Sequence, residues 1–238
     1  MAVALKKPST FQQIKTLLRK DLEQEFRTKE MLTSMGIYAL LVLIVYGAAL
    51  GQTTQALDVL QISGGLLWAL IVFTSLLGLN RSFSHEKDQG CMEGILLVPL
   101  DRSVIFLAKA TSNLLFLLVV EVIAVPLFYF FFLTTVSPAD SFWLLVVPLL
   151  VGTVGVAGIG TLLSTITINT RGKDVMLAVL FVPLIFPLLY ACASATTAVI
   201  VGAEGCMDVF SLSLTLAGGY DVIMLLLSWV LYDFVISA

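Results

Sequence analysis

Residues 80–109 read NRSFSHEKDQGCMEGILLVPLDRSVIFLAK, a polar break between two long apolar runs. The stretch holds the chain's single histidine, His85, in an acidic–basic cluster with Glu86, Lys87 and Asp88. Gly90 follows, and then a short amphipathic segment closed by Pro99. What flanks the break decides the fold. Of 238 residues, 59% are hydrophobic and 12% charged, and the mean hydropathy is +1.03. A soluble domain cannot bury that much apolar surface, so the solvent is a bilayer.

A window of about 20 apolar residues spans the hydrocarbon core. Working outward from the break, such windows cover Met31–Leu50, Leu60–Leu79, Val104–Leu133, Phe142–Thr165, Val175–Gly202 and, less cleanly, Gly219–Ile236. The third is longer than one crossing needs and must tilt, kink or pass the interface. Pro126, which lacks a backbone donor, is the expected kink. The first thirty residues are charged and lack an early apolar core, so no cleavable signal peptide is expected.

The basic residues orient the spans. Lys6, Lys7, Lys15, Arg19, Lys20, Arg27 and Lys29 precede the first. Arg81, Lys87, Arg102 and Lys109 lie between the second and the start of the third, and Arg171 and Lys173 between the fourth and fifth. These are all 13 Lys and Arg of the chain; the alternate connections carry only Asp58, Asp140, Glu204 and Asp208. The positive-inside rule then puts both termini and the 80–109 stretch in the cytoplasm.

Pro8–Glu30 reads as a helix lying on the membrane. Thr10 and Gln13 have capping-box spacing, and Phe11, Ile14, Leu18 and Leu22 form an apolar stripe that Lys15, Arg19 and Lys20 avoid. Such a helix buries its stripe at the interface and offers its cations to anionic headgroups; the plainer alternative is a solvated lead-in helix. In the break, Gly90 opens a second short helix with Glu93 near its positive end. Met92, Ile95 and Leu96 form its apolar face, Pro99 stops it, and Asp101 caps the third span. An apolar face on a loop needs a cover. It either folds back on the membrane or fills a groove on a soluble partner, and the surrounding charges suit the partner.

Other features are weighed against blander uses. Gly47 and Gly51 have the spacing of close helix approach, and the Gly64-Gly65 pair reads as flexible. The glycines of 152–160 lack the GxxxxGK[ST] pattern, so they serve helix packing and any ATP is bound by another subunit. Trp68, Trp143 and Trp229 are placed as for span ends and lipid contacts. Cys91, Cys192 and Cys206 form neither CxxC nor CxxCH, and topology forbids a disulfide to Cys91; Cys192–Cys206 remains open. Glu121 lies deep in the third span, where a carboxylate is costly. It either lines a polar route or pairs with a neighbouring subunit, or it is hydrogen-bonded within the bundle. Asp221 is either similar or sits at the outer interface.

The run from Leu79 to Lys109 resembles the haem exporter protein B family of cytochrome c maturation. More distantly it resembles type-2 ABC exporter permeases, in which an acidic–basic pair, a glycine and a Glu-Leu-Leu-like segment precede a proline. Gly152–Leu189, with Asn169–Asp174 and the prolines Pro183 and Pro187, is similar as well; Cys91 departs, since many such permeases place Thr or Ser there. The resemblance implies an all-α, type-2 ABC exporter-like integral membrane protein of six transmembrane helices behind an amphipathic interfacial helix. Residues 1–30 would be that helix and 31–238 one transmembrane domain, with a coupling segment at 80–103.

It implies a bacterial inner-membrane subunit without a catalytic centre, working with a separate ABC-type ATPase that binds ATP and with haem-handling membrane subunits. Glu86, Gly90, Met92, Glu93, Ile95, Leu96 and Pro99 would couple it to the ATPase. Haem would be the cargo, with no metal ligand from this chain: topology puts His85 inside, and Met176, Met207 and Met224 read as apolar fillers. No nucleic-acid partner is expected. Three alternatives stand beside this reading: a permease for lipid, polysaccharide or drug; a scaffold that assembles haem-handling subunits without driven motion; and a secondary transporter, which would favour more intramembrane charge than Glu121 alone.

Overall fold

The computed structural model describes residues 9–51, 59–88, 102–133, 138–167, 173–202 and 206–237. These form helices α1 (Thr10–Thr28), α2 (Glu30–Gly51), α3 (Val59–Asp88), α4 (Arg102–Phe132), α5 (Pro138–Thr167), α6 (Lys173–Val201) and α7 (Cys206–Ser237). Helices α2 to α7 are each long and apolar enough to cross a membrane, giving the expected six spans behind an amphipathic helix. No strand occurs among the described residues.

Helix α5 is the axis. It touches α3, α4, α6 and α7, and those four meet one another in the cyclic order α3, α6, α7, α4. Helix α2 packs outside, in the seam of α3 and α4, and α1 lies across α4 and the start of α2. Accordingly 67% of the α5 span is buried, against 22% of α2 and 17% of α7. The glycines of α5 explain its place. A side chain on Gly152 would strike the Trp68 ring, on Gly155 Asp221 and Leu188, on Gly158 Leu225, and on Gly160 Leu79. Lipid supplies no hydrophobic drive between helices, so small residues that let bulky neighbours close in provide the packing.

Several sequence expectations are corrected by this packing. Trp68 is not a span-end residue: it is fully buried, stacked on Gly152, with Nε1 donating to Thr196 Oγ1 at 2.9 Å. Gly64 is not a flexible link but a contact point inside α3, seated against Ala193 and Thr197 of α6. Helix α3 runs through Asp88, so His85 and Glu86 lie on its polar extension rather than in a break. Helix α7 begins at Cys206 instead of Gly219. Asp208 sits in its first turn, favourable at the positive end, and the Gly218-Gly219 pair is tolerated because lipid leaves backbone no alternative to a helix. Pro126, Pro148, Pro183 and Pro187 lie inside α4, α5 and α6, each of which is assigned as one helix.

Helix α1 also differs in detail. Its capping box is made by Ser9 and Gln12: the Gln12 N–H donates to Ser9 Oγ at 3.4 Å, and the Ser9 N–H to Gln12 Oε1 at 3.2 Å. The side turned to the bundle is a polar seam of Gln13, Asp21 and Glu25 with Leu17, whereas Phe11 and Phe26 face outward. Apolar periodicity located the helix; a four-residue polar periodicity sets its rotation.

Candidate functional site

Gly90, Met92, Glu93, Ile95, Leu96 and Pro99, the expected coupling face, lie outside the described residues, as does Asp101. Glu86 falls on the α3 extension, but its side chain is outside them too. Helices α3 and α4 do bring the two flanks of 89–101 out at one end of the bundle. There Leu17 of α1 packs on Ile105, Phe106, Leu162 and Tyr232, so the ends of α4, α5 and α7 converge under α1. The Phe106 and Tyr232 rings are 5.0 Å apart.

Further along α4, Glu121 is 6% exposed and turned into the bundle. Its Oε1 lies 2.6 Å from Thr153 Oγ1 on α5, which is also 2.7 Å from the carbonyl oxygen of Leu149. The threonine hydroxyl has one proton, so it serves one of these acceptors at a time. Two turns toward the α1 end, Asn113 Nδ2 donates to Thr161 Oγ1 at 2.9 Å. Glu121 and Asn113 thus meet Thr153 and Thr161 at matching spacing on antiparallel helices. The result is a two-rung polar seam between α4 and α5, the kind of glue that hydrocarbon makes useful.

On the other side of α5, Asp221 of α7 is 5% exposed and packs on Gly155. Neither carboxylate oxygen has a hydrogen-bond partner among the described residues. The longer α7 is what carries Asp221 from the outer interface into the core. The neighbouring Tyr220 hydroxyl donates to the carbonyl of Leu184 on α6. Cys192 is a buried thiol in α6 and Cys206 a free thiol at the start of α7. Met207 faces outward, while Met224 packs against the core.

The CcmB protein family model matches residues 12–232. The chain belongs to that family. It is 28% identical over 186 residues to the heme exporter protein B of Pseudomonas aeruginosa, covering 78% of this chain and 81% of that protein. It is 24% identical over 182 residues to the Haemophilus influenzae protein of the same name, covering 76% and 80%. With that of Rhodobacter capsulatus the figures are 26% over 167 residues, 70% and 74%.

In this CcmB-family chain, sequence reasoning missed one charged site altogether. Asp21 of α1 is buried, and its Oδ2 lies 3.0 Å from Lys109 Nζ and 2.9 Å from Ser112 Oγ, both on α4. Its Oδ1 is 3.2 Å from Lys20 Nζ. Beside it Glu25 Oε1 accepts the backbone N–H of Leu32 at 2.8 Å, tying α1 to the first turn of α2. A cleft opens between them, lined by Asp21, Glu25, Arg81, Ser82, Lys109 and Phe116. The only hint in the sequence was Lys109 itself, a cation lying past the start of an apolar span.

Proposed function

We propose that this chain is the permease-type membrane subunit of an ATP-driven complex that handles haem for cytochrome c biogenesis. The observation that carries the reading is a six-helix bundle of the CcmB family whose relatives are named heme exporter protein B. In this reading a separate ABC-type ATPase hydrolyses ATP, and other membrane subunits supply haem ligation and charge; the heme exporter names of the relatives support that division. The protein lies in the bacterial inner membrane as one transmembrane domain, residues 31–238, with both termini and the α1 end cytoplasmic, as the distribution of Lys and Arg supports.

Mechanistically, the coupling segment at 80–103 docks on the ATPase through Met92, Ile95 and Leu96, with Gly90 and Pro99 bounding the docking helix and Glu86 and Glu93 on its charged rim. Closure of the ATPase pushes on this segment and displaces the cytoplasmic ends of α3 and α4. The chain lends haem an apolar wall, and its own side chains do no covalent chemistry. The test is gentle purification of the complex with Ile95→Asp beside the unaltered chain. The unaltered chain should bring down an ATPase and subunits with a haem absorption spectrum. Ile95→Asp should lose the ATPase while its six spans stay inserted. Full retention of the ATPase would sink the docking assignment. Recovery with a lipid or polysaccharide enzyme in place of haem subunits would move the cargo to that class, and haem delivery that survives ATPase inactivation would make the chain a scaffold.

A further inference from the structure

The Asp21–Lys109 contact is an unusual place to put an ion pair. Both side chains are 7% exposed, and Lys109 lies on a helix long and apolar enough to cross a membrane. A buried pair is weak support for stability, because desolvation offsets the attraction, and such pairs are best attested where they fix one geometry. Here the geometry fixed is that of α1 on α4. Ser112 adds a second contact to the same carboxylate oxygen, so Asp21 is gripped from two successive turns of α4. The grip continues into α2: Lys29 turns the chain in a left-handed conformation, and Glu25 holds the Leu32 N–H just past that corner.

Position gives this clamp its meaning. Lys109 stands two turns inside α4, whose first residue, Arg102, adjoins the 89–101 segment. A helix is stiff over that length, so a displacement at its start is felt at Lys109. We propose that α1 moves with the cytoplasmic end of α4 as one body, the Asp21–Lys109 pair carrying displacement at the start of α4 across to the start of α2. The pair would make α2, which touches α5 nowhere among the described residues, a responder to the same stroke. This rests on the ATPase-coupled reading for the source of the stroke, but the joining of α1 to α4 stands apart from it.

The test is made on the complete complex in lipid vesicles, with native cysteines untouched. Nitroxide labels are placed through ketone-bearing residues at positions 23 and 107, exposed sites on α1 and α4. Pulsed electron resonance then measures their separation without nucleotide and in a vanadate-trapped state. The unaltered pair should give one narrow distance in both states. Asp21→Asn should broaden it and lower cytochrome c maturation within the roughly 5–150-fold range of typical coupling free energies, with ATP hydrolysis retained. Asp21→Glu keeps a carboxylate facing Lys109 and should retain both readouts, so that the losses in Asp21→Asn report the charge and not the packing. Lys109→Met deletes the pair from the other side and serves if Asp21→Asn fails to insert. A distance that stays narrow in the deletion variants, or one that changes between states with the pair intact, overturns the proposal. If no ATPase copurifies, the coupling reading falls while the broadening in Asp21→Asn still judges the clamp.

Discussion

The helices around α5 and the flank of α1, α2 and α4 are held by different means. On the α3, α6 and α7 sides of α5 the contacts are glycine notches filled by Trp68, Leu79, Leu188 and Leu225, with few hydrogen bonds. On the flank polar contacts are added to apolar ones such as Met35 on Gly78: Asp21 with Lys109 and Ser112, Glu25 with the Leu32 N–H, Glu121 with Thr153, and Asn113 with Thr161. Both solve the same problem, since helices in lipid gain nothing by hiding apolar surface from one another. A notch accepts one shape, and any displacement opens a void or a clash. A polar contact instead ties two named atoms without interdigitating the helix surfaces. The glycine side therefore sets α5 by shape, and the flank joins α1 to α4 and α4 to α5 by particular pairs.

The largest effect should come from filling a notch. Gly155→Leu drives a side chain into Asp221 and Leu188 on two different helices, where overpacking costs roughly 1–3 kcal/mol or more. Thermal unfolding of the detergent-solubilised chain should drop sharply, with reduced yield of inserted protein. A variant that melts like the unaltered chain would break the contrast, because α5 would then have room to slide.

Glu121→Gln should act in the opposite sense. The amide keeps the side chain's length and can still meet Thr153, so melting should shift by no more than about the 0.6 kcal/mol average of an interhelical hydrogen bond in lipid. Cytochrome c maturation should nevertheless fall, because the substitution removes an acid from the α4–α5 seam while leaving its packing. Normal maturation would reduce Glu121 to a structural tie. Between the two lies Trp68→Phe, which deletes the N–H donated to Thr196 but keeps a ring over Gly152; a small drop in melting with normal maturation is expected.

Much of the frame could be read from the chain and much of the flank could not. Apolar windows found the six spans because hydrocarbon thickness sets a length that composition must meet. The glycines of 152–160 announced close packing for the same reason. Their partners were hidden: Trp68 follows the usual rule for interfacial tryptophan until Gly152 is placed against it. The start of α7 was misplaced because Gly218-Gly219 looks like a break by the standards of water, where glycine has an alternative to the helix. That error also left Asp221 open between the core and the outer interface. The Asp21–Lys109 pair joins positions far apart in sequence, and only the docking of α1 on α4 brings them together. The coupling face of Met92, Ile95 and Leu96 was argued from the sequence alone, and Ile95→Asp is its test.

The smallest effect is expected at Gly47, and it is informative because it is small. With Gly51 it has the spacing of a close helix crossing, yet nothing among the described residues comes within 4 Å of where its side chain would stand. Its helix, α2, is among the most exposed of the six. Gly47→Leu should therefore leave the melting of the single chain unchanged, since the new side chain meets only lipid or detergent. The same substitution in the assembled complex asks a different question. If the variant chain melts normally alone but is lost from the complex, a helix of another subunit sits on Gly47, and the flank is also the face that meets a neighbour. If both are normal, the glycine spacing in α2 has no packing role, and close approach by glycine in this molecule belongs to α3 and α5, where Gly64, Gly78 and the α5 glycines each meet a neighbouring helix.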